Sequence, residues 1–429
     1  MSFAAMSLSD ILQIPPTRAP ADPTNFASYI VPPVLSYFAV AILAVTPETH
    51  SLRVALWPLV ALLALRAGAF VDLSLDVPRR KGLNLNLVVS EDFAVPSIFC
   101  NIGSLSSIST VHQASMFIIT TRTLQWTLQK EPLKRHIRPA GATPSIVMDA
   151  LDLTVNLRGY GWDWSKGLYV PRETRPSTHT KFVAYAIFSA GLHAFLCGVL
   201  HSALQSFSPD AFGPTIGGTI FDETLPFFAN YLRASIISTL VAFGLYCAMQ
   251  LGYDLCIIPA VLILRQDPAQ WPPAFERPWL ATSVGDFWGR RWHQFYRQTF
   301  ILGSYPFSFV FGRVGGIFGA FFISAVFHYI VLIRINGKTE LWRMVVAFGM
   351  MALAVIGERA FRQWTGRKVG GFGGWVWTMG WVNLWGTLMV DAWARAGMFG
   401  CPNLAGSAVL VGAMVERTMM RFDTWLHTF

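Results

Sequence analysis

Charge is what this sequence has least of. Only 13% of its 429 residues are Asp, Glu, Lys or Arg, about half the share carried by ordinary soluble domains. Cysteine is sparse as well. The five present (Cys100, Cys197, Cys247, Cys256, Cys401) are scattered and form no CxxC pair, which argues against a disulfide framework and against a zinc site. No HExxH run occurs, so the metal-ligand spacing of the zincins is missing. No GxSxG occurs either, which removes the commonest signature of a serine nucleophile. No internal repeat of fixed period is evident, whereas a secondary transporter usually shows paired halves. Acidic residues are few, and Asp254, Glu358 and Asp391 stand isolated at segment edges. That speaks against a membrane cyclase relying on carboxylic acids as proton donors.

What the chain has in abundance is apolar length. Hydrophobic residues make up 53% and the mean hydropathy is +0.44. Runs near spanning length occupy 27–45, 52–70, 182–204, 234–251, 314–333, 341–356 and 374–393, with shorter ones at 255–264 and 404–415. Repeated runs of this kind predict an all-α, polytopic membrane bundle of eight to ten helices. Residues 1–27, with several prolines, read as a tail and 28–429 as one integral membrane domain. The stretch 85–105 is ambiguous, and 116–126 reads as a short amphipathic piece. The net charge of +9 lies largely in loops, which suits topology and lipid contact rather than nucleic acid. The basic loops at 130–138, 158–181, 290–297 and 359–368 are expected on the cytosolic side.

The most informative stretch runs from Ser283 to Ile333. Ser283 followed by Asp286 is a capping-box pattern and predicts a helix start. On such a helix Asp286, Arg290, His293 and Arg297 share one face, and Trp288, Trp292 and Phe295 another, as in a helix lying in a membrane interface. The charge-free run that follows contains His328, with Ser324 one turn earlier and placed to bond its ring. An imidazole inside a spanning helix is costly unless it meets a partner, a cavity or a substrate. His328 bonding a neighbouring helix, and His293 as a solvated interfacial residue, remain open on these grounds alone. His193 and His201 lie in another span and show no fixed partner. Earlier in the chain, Arg158 to Trp164 (RGYGWDW) places glycine between aromatics and predicts a tight anchoring segment.

The run DFWGRRWH, the apolar stretch, the histidine of FHY 35 residues beyond His293, and the RGxGW element (Arg158, Gly159, Gly161, Trp162) together resemble the wax-synthase-like branch of the membrane-bound O-acyltransferases. The resemblance implies a helical bundle around a reaction chamber, in an endoplasmic-reticulum membrane. It implies acyl transfer from acyl-CoA to an alcohol, with His328 as general base and His293 supporting it. Neutral imidazole suits proton removal from a hydroxyl near pH 7. Arg290, Arg291 and Arg297 are candidates for the coenzyme's phosphates, or for lipid headgroups. Trp288, Trp292 and Ser324 complete the expected substrate-binding set. No metal and no permanently bound cofactor is expected, only acyl-CoA as co-substrate. Acetyl transfer to a terpenoid or polyketide-derived hydroxyl is the preferred reading, with long-chain alcohol esterification and solute transport as alternatives.

Overall fold

The computed structural model describes residues 19–20, 22–72, 105–138, 143–165, 167–208, 212, 217–336, 339–399 and 410–428. Most of the tail, residues 76–81 and 85–104, Cys100, Lys166, Cys401 and the start of the last apolar run lie outside them. Apart from a two-residue parallel pairing of Ala19–Pro20 with Val71–Asp72, the described elements are helices. Contacts divide the chain into two compact units.

The first unit holds α1 (Pro23–Val45), α2 (His50–Phe70), α3 (Leu105–Leu128) and α4 (Ile146–Val155). Small residues on α1 and α2 (Ala41, Ala44, Ala64, Ala67) are fully buried and let these helices approach closely, with Trp126 of α3 filling the core beside them. The expected short piece at 116–126 is instead the second half of a 24-residue helix. Its threonines conceal the length. Thr120, Thr121, Thr123 and Thr127 each donate to the carbonyl four residues back, so hydroxyls that lower the hydropathy are satisfied within the helix itself. RGYGWDW is a tight turn, as expected. The Trp162 indole donates to Asp152 at 2.7 Å, Arg135 pairs with the same carboxylate at 2.8 Å, and Asn156 exchanges two hydrogen bonds with the Tyr160 backbone.

The second unit holds α5 (His179–Gln205), α6 (Phe227–Leu262), the short α7 (Val284–Asp286) and α8 (Arg297–Leu302), then α9 (Ser304–Asn336), α10 (Leu341–Thr365), α11 (Gly371–Arg395) and α12 (Leu410–Leu426). The expected separate spans at 234–251 and 255–264 are one 36-residue helix, α6. Asp254 does not break it, because both its oxygens accept hydrogen bonds, from Ser189 at 2.6 Å and Gln250 at 2.9 Å. The expected basic loop at 359–368 is helical to Thr365 and ends at Gly366, whose amide closes on Arg362. Charge made it read as a loop, yet Glu and Arg are good helix formers.

Six described helices are long and apolar enough to cross a membrane: α1, α2, α5, α6, α9 (as Ser304–Ile333) and α10. Two more, α3 and α11, reach spanning length without entering that set. The protein is a multi-pass integral membrane protein.

Candidate active site

The site is built on a hairpin. α9 is broken at Phe311 (φ −119°, ψ 16°) and Gly312 (φ 59°, ψ −149°). The latter conformation is open only to glycine. The chain therefore doubles back, and the arm from Arg297 to Phe311 runs antiparallel to the arm that follows. The two arms nearly touch. A Cβ on Gly319 would lie 2.3 Å from the Gly303 carbonyl oxygen, and one on Gly315 would lie 2.3 Å from that of Phe307. Ring contacts continue the register, with Phe300 and Tyr296 both on Phe327 at 5.8 and 5.2 Å. These pairs centre near residue 311. Extended, the same register sets residue 293 at about the level of His328.

This is how two histidines 35 residues apart in sequence come to one end of the hairpin. The His293 ring lies 5.7 Å from Tyr296, Tyr296 lies 5.2 Å from Phe327, and Phe327 lies 5.3 Å from His328. His328 Nδ1 sits 2.7 Å from the Ser324 carbonyl oxygen. A carbonyl only accepts, so Nδ1 carries the proton and Nε2 presents a lone pair. The expected bond with the Ser324 hydroxyl is thus replaced by one that the ring donates to the Ser324 backbone carbonyl. Phe348 of α10 lies 4.7 Å from the imidazole, and Trp393 of α11 stacks on it at 6.4 Å and 19°. Aromatic walls on two further helices hold the ring in place.

The expected single helix from Ser283 through Arg297 is not formed. Ser283 does cap α7, accepting from the Asp286 amide at 2.9 Å. A π-helical turn, Phe287–Arg291, follows and ends where Trp292 turns extended (φ −71°, ψ 155°). Asp286, Arg290, His293 and Arg297 consequently do not line one face. Two side chains that the linear pattern did not mark maintain this turn. Glu358 of α10 accepts from the amides of Val284 (2.6 Å) and Gly285 (2.9 Å) and from the Trp377 indole (3.0 Å). The buried Gln294 amide donates to the carbonyls of Trp288 and Trp292. The carboxylates expected to be isolated are therefore all engaged. Asp391 accepts from Thr219, the Ile220 amide, Arg343 and Arg395.

The remaining expected residues divide by environment. Trp292 stacks on Phe287 (5.6 Å, 14°) and meets Phe275 edge-on at 5.3 Å. Trp288 contacts Phe321 and Phe348, each at 6.3 Å, so Phe348 touches both Trp288 and His328. The buried Trp288 Nε1 has no hydrogen-bond partner among the described residues. Arg291 is occupied structurally. It pairs with Asp286 and donates to the Glu276 carbonyl at 3.2 Å. Arg290 is largely exposed and lies over the Tyr169 ring at 4.3 Å. Arg297 differs again. Its Nη1 is buried without a partner among the described residues, and desolvation pulls its guanidinium below the usual arginine range. A cation left under-compensated in this way is a ready partner for an anion.

Residues 271–351 match the model of the membrane bound O-acyl transferase family. Over that stretch the chain is similar to the family. The match covers α7, the π-turn, the hairpin and the first part of α10, which are the elements that assemble the two histidines. Among curated relatives, the chain is 26% identical over 268 residues to the acetyltransferase ple2 of Rhodocybe pseudopiperita, covering 60% of this chain and 65% of that protein. It is 33% identical over 102 residues to the probable long-chain-alcohol O-fatty-acyltransferase 8 of Arabidopsis thaliana, covering 22% and 30% respectively. It is 27% identical over 176 residues to the O-Mevalon transferase yanI of Aspergillus niger, covering 38% and 37%. The chain thus spans just under two thirds of the length of ple2 and smaller shares of the other two.

Proposed function

We propose that this protein is a membrane-embedded O-acyltransferase that moves an acyl group, preferentially acetyl, from acyl-CoA to a hydroxyl of a hydrophobic acceptor such as a terpenoid or polyketide-derived metabolite. The observation that carries the reading is the hairpin. It brings His293 to the level of His328 while the Ser324 carbonyl fixes the His328 tautomer with a bare Nε2.

In this mechanism the acceptor hydroxyl donates its proton to His328 Nε2 as its oxygen attacks the thioester carbonyl carbon. Electrons move onto the carbonyl oxygen, and His293 or the Trp288 N–H, which has no partner among the described residues, donates to that developing oxyanion. One such donor is worth about 3 kcal/mol in the transition state. The tetrahedral species then collapses, the C–S bond breaks, and the imidazolium returns its proton to the coenzyme thiolate. Ester and free thiol leave with no net proton change. Arg297, with Arg290 nearer the surface, binds the coenzyme's phosphates. Arg291 holds the turn in shape instead. The acetyl preference rests on the longer stretch shared with ple2. An endoplasmic-reticulum location goes with the same reading, since a cytosolic supply of acyl-CoA and membrane-dissolved acceptors meet there.

The test is purified protein in lipid nanodiscs with radiolabelled acetyl-CoA or palmitoyl-CoA and a panel of hydrophobic alcohols. Labelled ester supports transfer. Cargo uptake into proteoliposomes without ester would support transport instead. Each methylene that a long acyl tunnel accommodates adds up to about 0.8 kcal/mol of binding. Palmitoyl turnover equal to or above acetyl turnover would therefore replace the acetyl assignment with long-chain esterification.

A further inference from the structure

α5 and α6 carry a second set of ionisable groups that the ester-forming site does not use. The chain reads Ser-Ala-Gly-Leu-His at 189–193 and Ser-Ala-Val-Phe-His at 324–328, and the two segments share one local geometry. His193 Nδ1 lies 2.7 Å from the Ser189 carbonyl oxygen, as His328 Nδ1 does from that of Ser324. By the same argument His193 keeps its proton on Nδ1 and presents a bare Nε2.

The surroundings of His193 separate it from a helix-bonding residue. Asp254 is 1% exposed, and its two oxygens are already served by the Ser189 hydroxyl and the Gln250 amide. The carboxylate therefore does not need the imidazole, which stands 3.9 Å away. Nε2 makes no hydrogen bond among the described residues, and the His193 side chain retains 13% exposure. His193 also falls at the middle of α5, about 18–21 Å from either end at 1.5 Å per residue. Water is scarce at that depth of a bilayer, so an acceptor nitrogen there is satisfied only by a donor that dissolves in hydrocarbon. A hydrophobic alcohol has that chemistry, with one O–H donor on an apolar body. An aromatic path joins this position to the reaction site. His193 meets Tyr246 edge-on at 5.7 Å, Tyr246 meets Phe275 at 4.8 Å, and Phe275 meets His293 at 5.9 Å.

We propose that His193 Nε2 is a binding subsite for the hydroxyl of a hydrophobic alcohol taken from the bilayer, and that Tyr246 and Phe275 form the wall along which the acceptor reaches His293 and His328. The identity of the alcohol as acceptor rests on the acyltransferase reading; the binding itself does not.

The experiment uses the full-length protein in nanodiscs without acyl-CoA, so that no reaction occurs. It is photolabelled with a diazirine-bearing long-chain alcohol or with the matching hydrocarbon lacking the hydroxyl. The alcohol should label α5 and α6 peptides about tenfold more than the hydrocarbon, the factor expected from one hydrogen bond of about 1.4 kcal/mol. His193→Phe should erase that ratio, and His193→Gln, which keeps an acceptor, should restore part of it. In turnover, His193→Phe should raise KM for the alcohol by a similar factor and leave KM for acyl-CoA unchanged. Equal labelling by alcohol and hydrocarbon in the wild type overturns the proposal, and that comparison stands even where the Phe variant does not fold. Hydroxyl-dependent labelling without ester formation would keep the subsite and overturn the acyltransferase reading.

Discussion

Substituting Gly319 by alanine adds one methyl group between the hairpin arms, away from both histidines, and it should disable the site. The new Cβ would sit 2.3 Å from the Gly303 carbonyl oxygen and 2.8 Å from a Phe307 ring carbon. The first of these is backbone and cannot rotate away. Restoring an ordinary contact of 3.4 Å requires the arms to part by about 1 Å, more than close-packed interiors absorb freely. Overpacking of this kind costs about 1–3 kcal/mol of stability. The larger effect is on geometry. The arm that moves follows directly on Tyr296 and His293, so a shift at Gly303 carries His293 away from the level of His328. Misplacing a catalytic group by about 1 Å costs on the order of 10²-fold in rate. Turnover with radiolabelled acetyl-CoA should therefore fall about 100-fold in Gly319→Ala while the protein stays monodisperse and retains most of its thermal stability. Gly349→Ala is the control, because a Cβ there meets nothing within 4 Å, and it should behave as wild type. A well-folded Gly319→Ala with wild-type turnover would refute the idea that the hairpin's close approach sets the two histidines.

Other substitutions probe the site directly. His328→Ala should cut ester formation by about 10²–10⁴-fold while equilibrium binding of radiolabelled acyl-CoA persists; near-wild-type turnover in a folded variant would remove it as base. His293→Ala should lose less, with partial rescue in His293→Asn, which still donates one hydrogen bond. Glu358→Ala leaves the Val284 and Gly285 amides and the exposed Trp377 indole without their acceptor, a cost of about 1–3 kcal/mol for a buried donor such as that of Val284. Its α7 turn should loosen, read as faster hydrogen exchange across 284–291 and a raised KM for acyl-CoA, and unchanged exchange there would refute the role. At the end of the chain, His427 is raised above the ordinary histidine value by its bond to the Asp423 carbonyl, and further by Asp222 at 3.1 Å. A raised folded-state value means the contact's stabilisation is complete below the unfolded value near 6.5 and is lost as pH rises through the folded one. A spin label at Thr424→Cys should accordingly become more mobile as pH is taken from about 6 to 8.5, and His427→Gln should flatten that profile.

Local chemistry made much of the architecture readable from one dimension. Apolar runs mark spanning helices because unsatisfied backbone in lipid is costly enough to force every such run into a helix. Ser283 announces the start of α7 because its hydroxyl reaches only three residues. The chain misled where polarity was satisfied in a way a linear pattern does not display. The threonines of α3 bond to their own helix, and Asp254 is served partly from α5. Glu358 looks like a loop residue until its oxygens are seen on the α7 amides.

The sequence by itself determined the helical, membrane-embedded class, since burial of apolar length and the scarcity of ionisable groups within it are properties of composition and order; His293 and His328 entered as candidates through the family resemblance. Only the tertiary structure decided how those residues come to one end of the hairpin. One positive-φ glycine reverses the chain at 312, and missing side chains at 303, 315 and 319 let the arms close. Rings from α10 and α11 hold the imidazole. These are contacts between segments distant in sequence, and their energies exist only once the chain has folded back on itself.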